Sequence, residues 1–109
     1  MVVRVLEYVD PQGRSPFAGW FDRLDPLAAA KVAAALYRLG EGSFANVKGV
    51  GGGIFERKID FGPGYRVYFG KDGDTAVILL GGSSKQRQRE AVAAAREGWG
   101  DYKRRKASG

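Results

Sequence analysis

The chain contains no cysteine and no histidine. The first absence excludes disulfides and thiolate metal sites. The second removes the commonest general base, the Ser-His-Asp arrangement and the usual zinc ligand. No apolar run approaches the ~18 residues of a membrane-spanning helix, and the first residues carry no signal-peptide pattern. A cytoplasmic protein that engages no membrane is therefore expected. Internal repeats, linkers and low-complexity stretches are also missing. With 109 residues, 44% of them hydrophobic, the chain is expected to form a single domain over 1–109 around one core.

Positive charge is what the chain has in excess. The net charge is +6, and residues 85–109 hold eight Lys or Arg against three Asp or Glu. Such a surface suits an anionic partner, either nucleic acid or an acidic protein, and is equally what a soluble basic surface without a dedicated ligand looks like.

In chain order, residues 2–9 alternate weakly, are rich in β-branched residues and predict a strand. Ser15-Pro16 and Asp25-Pro26 each pair a favoured N-cap with a proline at the first helical position. They predict two helices with almost no loop between them. Phe17, Trp20, Phe21 and Leu24 form an apolar stripe on the first, and Ala29, Val32, Leu36 and Leu39 on the second. Gly40 and Gly42 end the pair. Residues 43–53 read as a loop. Its Gly49, Gly51, Gly52 and Gly53 match neither the Walker pattern nor the dinucleotide fingerprint, and are taken as a flexible approach to the sheet. Strands follow over 54–61, 65–69 and 75–80, separated by the Gly62-Pro63-Gly64 turn and the 71–74 turn and closed by Gly81-Gly82. The last of them is apolar on both faces, as expected of a central strand. A helix over 84–97, extending to 106 if Gly98 and Gly100 do not stop it, completes the order β-α-α-β-β-β-α. Lys85, Arg89, Arg96 and Lys103 share one side of it, and Gln88, Ala91, Ala95, Trp99 and Tyr102 the adjoining side. The expected fold is α+β: a small antiparallel sheet with a helical hairpin packed on one face.

The candidate site lies on the 54–69 hairpin. Side chains alternate along a strand, so Glu56, Lys58 and Asp60 share a face, as do Arg66 and Tyr68. Pairing Phe61 with Tyr65 sets Asp60 opposite Arg66 and Lys58 opposite Tyr68, with all five on one side. Arg57 then falls among the apolar residues of the other side. Cations beside an aromatic ring suit a ribose–phosphate backbone, the guanidinium binding phosphate through two donors and the ring stacking on a base. Plain cross-strand ion pairing, Asp60 with Arg66, accounts for the same spacing.

These residues also carry a resemblance. The stretches SPFAGWFDRLDPLAAAKV (15–32), Asn46-Val47-Lys48, IDFGPGYRVYFG (59–70) and ILLGGSSKQRQ (78–88), with the tryptophan before Asp101-Tyr102-Lys103, make the chain similar to the RelE/ParE superfamily of type II toxin–antitoxin toxins. Within it, the chain resembles the phage-derived Gp49-like and HigB-like addiction module killer proteins. The resemblance covers nearly the whole chain. It implies a RelE-like fold and a toxin that cleaves messenger RNA on the ribosome, with no metal and no cofactor. It also implies neutralisation by a HigA-like helix-turn-helix antitoxin.

Position by position, Arg66 matches the arginine at the scissile phosphate. Lys58 stands where the branch usually has arginine, and Lys85 matches a basic position on the active face. Glu56 is a conceivable base. Tyr68, Arg57, Lys48, Gln88 and Arg89 complete the set as candidate substrate-binding residues. The histidine of some HigB toxins has no counterpart here. Two further readings of the same scaffold stay open: a ParE-like DNA gyrase inhibitor that cuts nothing, and a degenerate, non-catalytic antitoxin-binding module.

Overall fold

The structure is a computed structural model that describes residues 2–109. Strand β1 (Arg4–Glu7) is followed by helices α1 (Pro16–Phe21) and α2 (Pro26–Gly40). Strands β2 (Val47–Gly51), β3 (Ile54–Ile59), β4 (Tyr65–Asp72) and β5 (Ala76–Ser84) come next. A single 3-10 turn (Lys85–Arg87) then leads into α3 (Gln88–Ser108). The strands form one mixed sheet in the order β1-β5-β4-β3-β2, so the chain is an α+β protein with a five-stranded sheet and three helices. Among the described residues no helix is long and apolar enough to cross a membrane.

The local signals at the helix starts work as their chemistry requires. Ser15 Oγ accepts from the Ala18 amide at 3.0 Å, and Asp25 Oδ1 from the Ala28 amide at 2.9 Å, each with proline next in line. Each cap satisfies one of the amide donors that the first helical turn leaves unpaired. On α2 the buried positions are Ala28, Val32, Ala35 and Leu39, so the stripe is centred one residue away from the expected Ala29 and Leu36.

Three expectations need correction. The sheet is not purely antiparallel, because β1 pairs in parallel with β5, Arg4 with Ala76 through Glu7 with Leu79. The 43–53 stretch is not all loop, because Val47–Gly51 pairs with β3 as an edge strand. Gly51, Gly52 and Gly53, all at positive φ, then make the tight return into β3. The last strand does not stop at Gly81-Gly82 but continues to Ser84, with a bulge opposite Tyr68 and Phe69.

The two tryptophans explain two of the glycines. A Cβ on Gly82 would stand 2.2 Å from the Trp20 ring, and one on Gly70 would stand 2.5 Å from the Trp99 ring. Each ring thus packs directly on sheet backbone, Trp20 from the α1–α2 side and Trp99 from α3. The α1–α2 side holds Phe17, Val32, Leu39, Val67, Phe69 and Val77. The α3 side holds Tyr8, Ile54, Tyr68, Ile78, Leu80, Ala95 and Trp99. Both faces of the sheet are covered, and this is why the β5 segment is apolar on both sides. Helix α3 also runs unbroken through Gly98, where an added Cβ would come within 2.9 Å of the Tyr8 ring, so the close approach of that ring favours glycine there. Close packing outweighs the roughly 1 kcal/mol that glycine costs a helix.

Two tyrosine–aspartate contacts fasten the far end of α3. Tyr8 donates to Asp101 Oδ2 at 2.7 Å, and Tyr102 to Asp72 Oδ2 at 2.6 Å. Lys106 also pairs with Asp72, and Arg105 with Asp101. Burial first, then the bond to Asp72, push the Tyr102 phenol from its ordinary 10.0 to about 12. The Lys106 and Tyr102 hydrogen bonds hold the Asp72 carboxyl below its usual range.

Two outcomes are expected. Gly82→Ala should lower stability by about 3 kcal/mol through overpacking. Gly81→Ala, at a position with nothing within 4 Å of an added Cβ, should change it by less than about 0.5 kcal/mol. Urea denaturation of both variants makes the comparison. The Tyr102 contact should contribute fully below the ordinary phenol pKa of 10.0 and be lost as pH rises through about 12. In a tyrosinate absorbance titration, Tyr102→Phe should remove one late-ionising phenol. A titration whose latest phenol is unchanged by that substitution would contradict the assignment.

Candidate functional site

Strands β3 and β4 pair Ile59 with Tyr65, Lys58 with Arg66, Arg57 with Val67 and Glu56 with Tyr68. This register is offset by two residues from the expected one. An even offset leaves every side chain on its expected face, so Glu56, Lys58, Arg66 and Tyr68 do share one side. Asp60 drops out of the ladder, lies exposed beyond β3 and pairs with Lys58 at 3.4 Å.

That side is the one α3 covers, and the covering sorts the residues into buried and accessible. Glu56 is 1% exposed and Tyr68 0%. Tyr68 sits under α3 with its hydroxyl 3.1 Å from Ser83 Oγ, and burial pushes its phenol up. It offers no free ring face, so the expectation that Tyr68 stacks on a base is corrected. Beyond the first turn of α3 the sheet end opens. A cleft of about 290 Å³ there is lined by Asn46, Val47, Lys48, Glu56, Lys58 and Arg66.

The centre of the cleft is an ion pair. Arg66 Nε lies 3.4 Å from Glu56 Oε1, and both side chains are nearly buried. The alignment at Nε falls short of a hydrogen bond, which leaves that nitrogen buried without a hydrogen-bond partner. Arg66 Nη1 donates to the Gly64 carbonyl at 3.2 Å. Gln88, at the start of α3, donates to Glu56 Oε1 at 2.7 Å. Lys48 on β2 stands 3.8 Å from Glu56 Oε2. Glu56 thus has Arg66, Gln88 and Lys48 around its two oxygens. It is placed to hold Arg66 in position.

Lys58 and Lys48 form the rim, with 51% and 68% of their side chains exposed. Lys85 is exposed at the 3-10 turn and closes the other side. A Cβ on Gly64 would lie 3.7 Å from Arg66 Nη1 and 3.9 Å from Lys85 Cβ, so the three positions are neighbours. The structure therefore brings together Lys48, Glu56, Lys58, Arg66, Lys85 and Gln88. Arg89 lies exposed in the first turn of α3 and lines an adjoining groove.

Arg57 is not part of this cluster, and its inclusion among substrate-binding residues is corrected. It points to the opposite face, is 4% exposed, and has Nε and Nη1 buried without partners. Burial, and then the nearby Arg38, lower its pKa. Its place one residue out of phase with Glu56 and Lys58 puts it there.

Asn46 is the cleft residue that sequence reasoning passed over as a site residue. It has φ 61°, the left-handed conformation that asparagine tolerates better than most residues, and its carbonyl accepts from the Lys58 amide at 3.2 Å. Its side chain is thereby set at the cleft wall. No local sequence signal marks that φ, beyond the residue being asparagine.

The arrangement sets three cations, Lys48, Lys58 and Arg66, around a cleft lined by one carboxylate, Glu56, with Lys85 next to it. Cations so placed have the chemistry to pair with an anionic group such as a phosphate.

No family model matches the chain. An uncharacterized protein of Haemophilus influenzae is 42% identical to it over 81 residues, which span 73% of this chain and 82% of the relative.

The two buried arginines are expected to respond in opposite ways. Glu56→Ala removes the partner of Arg66 and should cost about 3 kcal/mol, because a buried charge is left uncompensated. Arg57→Leu removes a buried, unpaired guanidinium and should stabilise by roughly 1–2 kcal/mol. Denaturant midpoints at constant slope measure both.

Proposed function

The chain belongs to one family with the uncharacterized Haemophilus protein, and we propose that it is the toxin of a type II toxin–antitoxin module that cleaves messenger RNA on the ribosome. The observation that carries this reading is that Lys48, Lys58 and Arg66 line one cleft, with the Arg66 guanidinium held by Glu56 and the Gly64 carbonyl and Lys85 beside it across Gly64. The resemblance of the Gly62–Arg66 turn and of the strand end before Lys85 to RelE/ParE toxins, with the RelE-like fold that goes with it, supports the same reading.

In this mechanism the 2′-oxygen of the substrate attacks the adjacent phosphorus and the bond to the 5′-oxygen breaks. The products are a 2′,3′-cyclic phosphate and a 5′-hydroxyl. Charge builds on the non-bridging oxygens, where Arg66 and Lys58 stabilise it. Lys85 holds the backbone and stabilises the leaving 5′-oxygen, which takes a proton from the Lys85 ammonium to become the 5′-hydroxyl, the amine then regaining a proton from solvent. Glu56 and Gln88 act through Arg66 as positioning residues. With Glu56 committed to Arg66 and Tyr68 buried, the proton of the attacking hydroxyl passes to solvent or to a group of the ribosome, which also supplies substrate geometry. The expected partners are messenger RNA, the ribosome and a HigA-like helix-turn-helix antitoxin, all in the cytoplasm.

Induction in bacteria without an antitoxin tests the proposal. The wild-type chain should arrest growth and produce new 5′-hydroxyl transcript ends by primer extension. Arg66→Ala should reduce cleavage by about a hundredfold or more. Arg66→Lys keeps the charge beside Glu56 and should retain the fold while losing much of the activity. Undiminished arrest by Arg66→Ala overturns the role of Arg66. Intact transcripts with DNA damage select the gyrase-inhibitor reading, and unimpaired growth selects a non-catalytic antitoxin-binding module.

A further inference from the structure

A second groove, of about 790 Å³, runs from the 3-10 turn along the outer side of α3. Lys85, Arg89 and Arg96 line it together with Gln88, and Val50 and Val92 give it an apolar wall. Gln88 bonds Glu56 and Lys85 neighbours Gly64, so the groove adjoins the cleft.

Its charge is uncompensated. Among the described residues, Lys85, Arg89 and Arg96 form no ion pair with a carboxylate. The carboxylate in the groove, Glu90, is engaged by Arg87 at 3.3 Å. Arg96 is nevertheless held in place. Its Nη2 donates to the Val50 carbonyl at 3.0 Å, and its side chain lies across the Gly51-Gly52 turn. A Cβ on Gly51 would stand 3.0 Å from Arg96 Nη2, and one on Gly52 would stand 3.2 Å from Arg96 Nε. The β2–β3 turn is thus reduced to glycine where the arginine crosses it. Of the five N–H donors of a guanidinium, this bond uses one.

We infer that this groove is a track for the backbone of single-stranded RNA flanking the cleaved bond, with Arg89 and Arg96 each contacting a phosphate. The inference rests on the ribonuclease reading and adds where the substrate runs. Seven residues on a helix span about 10 Å at ~1.5 Å per residue, the rise of about three stacked nucleotides at ~3.4 Å each. Val50 and Val92 suit unpaired base faces, which a duplex would hide. Contacts of this kind read no sequence, so they set affinity and register and leave base preference to other groups.

The test uses a fluorescent 2′-O-methyl oligoribonucleotide, which has no free 2′-hydroxyl and cannot be cut. Binding is followed by anisotropy across a salt series, and in parallel on ribosomes programmed with messenger RNA. The Arg89→Gln, Arg96→Gln double variant should bind about tenfold more weakly, with a salt slope lower by about 1.4, at ~0.7 per phosphate for single strands. Arg89→Lys, Arg96→Lys should recover most of both, while Arg104→Gln should match the wild type. Circular dichroism verifies that each variant is folded. If RNA binds and the double variant keeps wild-type affinity and slope in both arms, the track is overturned and the ribonuclease reading stands. If the wild-type chain binds neither the oligonucleotide nor the ribosomes, both are overturned. Tighter binding of polyglutamate than of RNA would also overturn the track, making the groove a docking surface for an acidic protein.

Discussion

A carboxylate removed from water is costly unless its charge is answered, and the arrangement around Glu56 follows from that constraint. Glu56 sits on β3 with 1% exposure. Arg66 from β4, Gln88 from α3 and Lys48 from β2 stand around its oxygens. Three elements are thus drawn to one buried charge. The same contacts that answer the carboxylate aim the Arg66 guanidinium at the open end of the sheet. Rigidity in the core and precision in the candidate site are one feature here, because the group that positions the arginine also ties the layers together.

The cleft exists because the sheet is covered unevenly. The α1–α2 pair takes one face and α3 the other, each seated by a tryptophan on a sheet glycine, Trp20 on Gly82 and Trp99 on Gly70. With both faces closed, the middle of the hairpin is interior, and Tyr68 lies within it. At the cleft, Lys58 and Lys48 of the edge strand β2 are exposed around a nearly buried Arg66. The polar residues of β3 and β4 are therefore divided by depth as well as by face.

The basic surface is divided as well. Lys103, Arg104, Arg105 and Lys106 stand at the far end of α3, where Arg104 and Arg105 pair with Asp101, Lys106 with Asp72, and Lys103 lies over the Trp99 ring at 5.6 Å. Lys85, Arg89 and Arg96, nearer the cleft, have no such partners among the described residues. The cationic tail is thus largely engaged in fastening the helix, while Lys85, Arg89 and Arg96 leave unpaired charge along the start and middle of α3.

Much of this was legible locally. Ser15-Pro16 and Asp25-Pro26 determined where two helices begin, since an N-cap needs only a side chain and an amide three residues on. Alternation along β3 and β4 determined that Glu56, Lys58 and Arg66 share a side and that Arg57 does not, because parity survives a register offset of two. The tertiary structure alone decided the rest: that β1 joins β5 in parallel, that a glycine-rich segment pairs as β2, that α3 buries Tyr68, and that Glu56 holds Arg66 instead of standing free. Each of these depends on groups far apart in the chain, as Gln88 and Glu56 are, 32 positions from each other. Local patterns encode the direction of a side chain. Whether that side ends in water, in a core or against a counter-charge is decided by what packs on it.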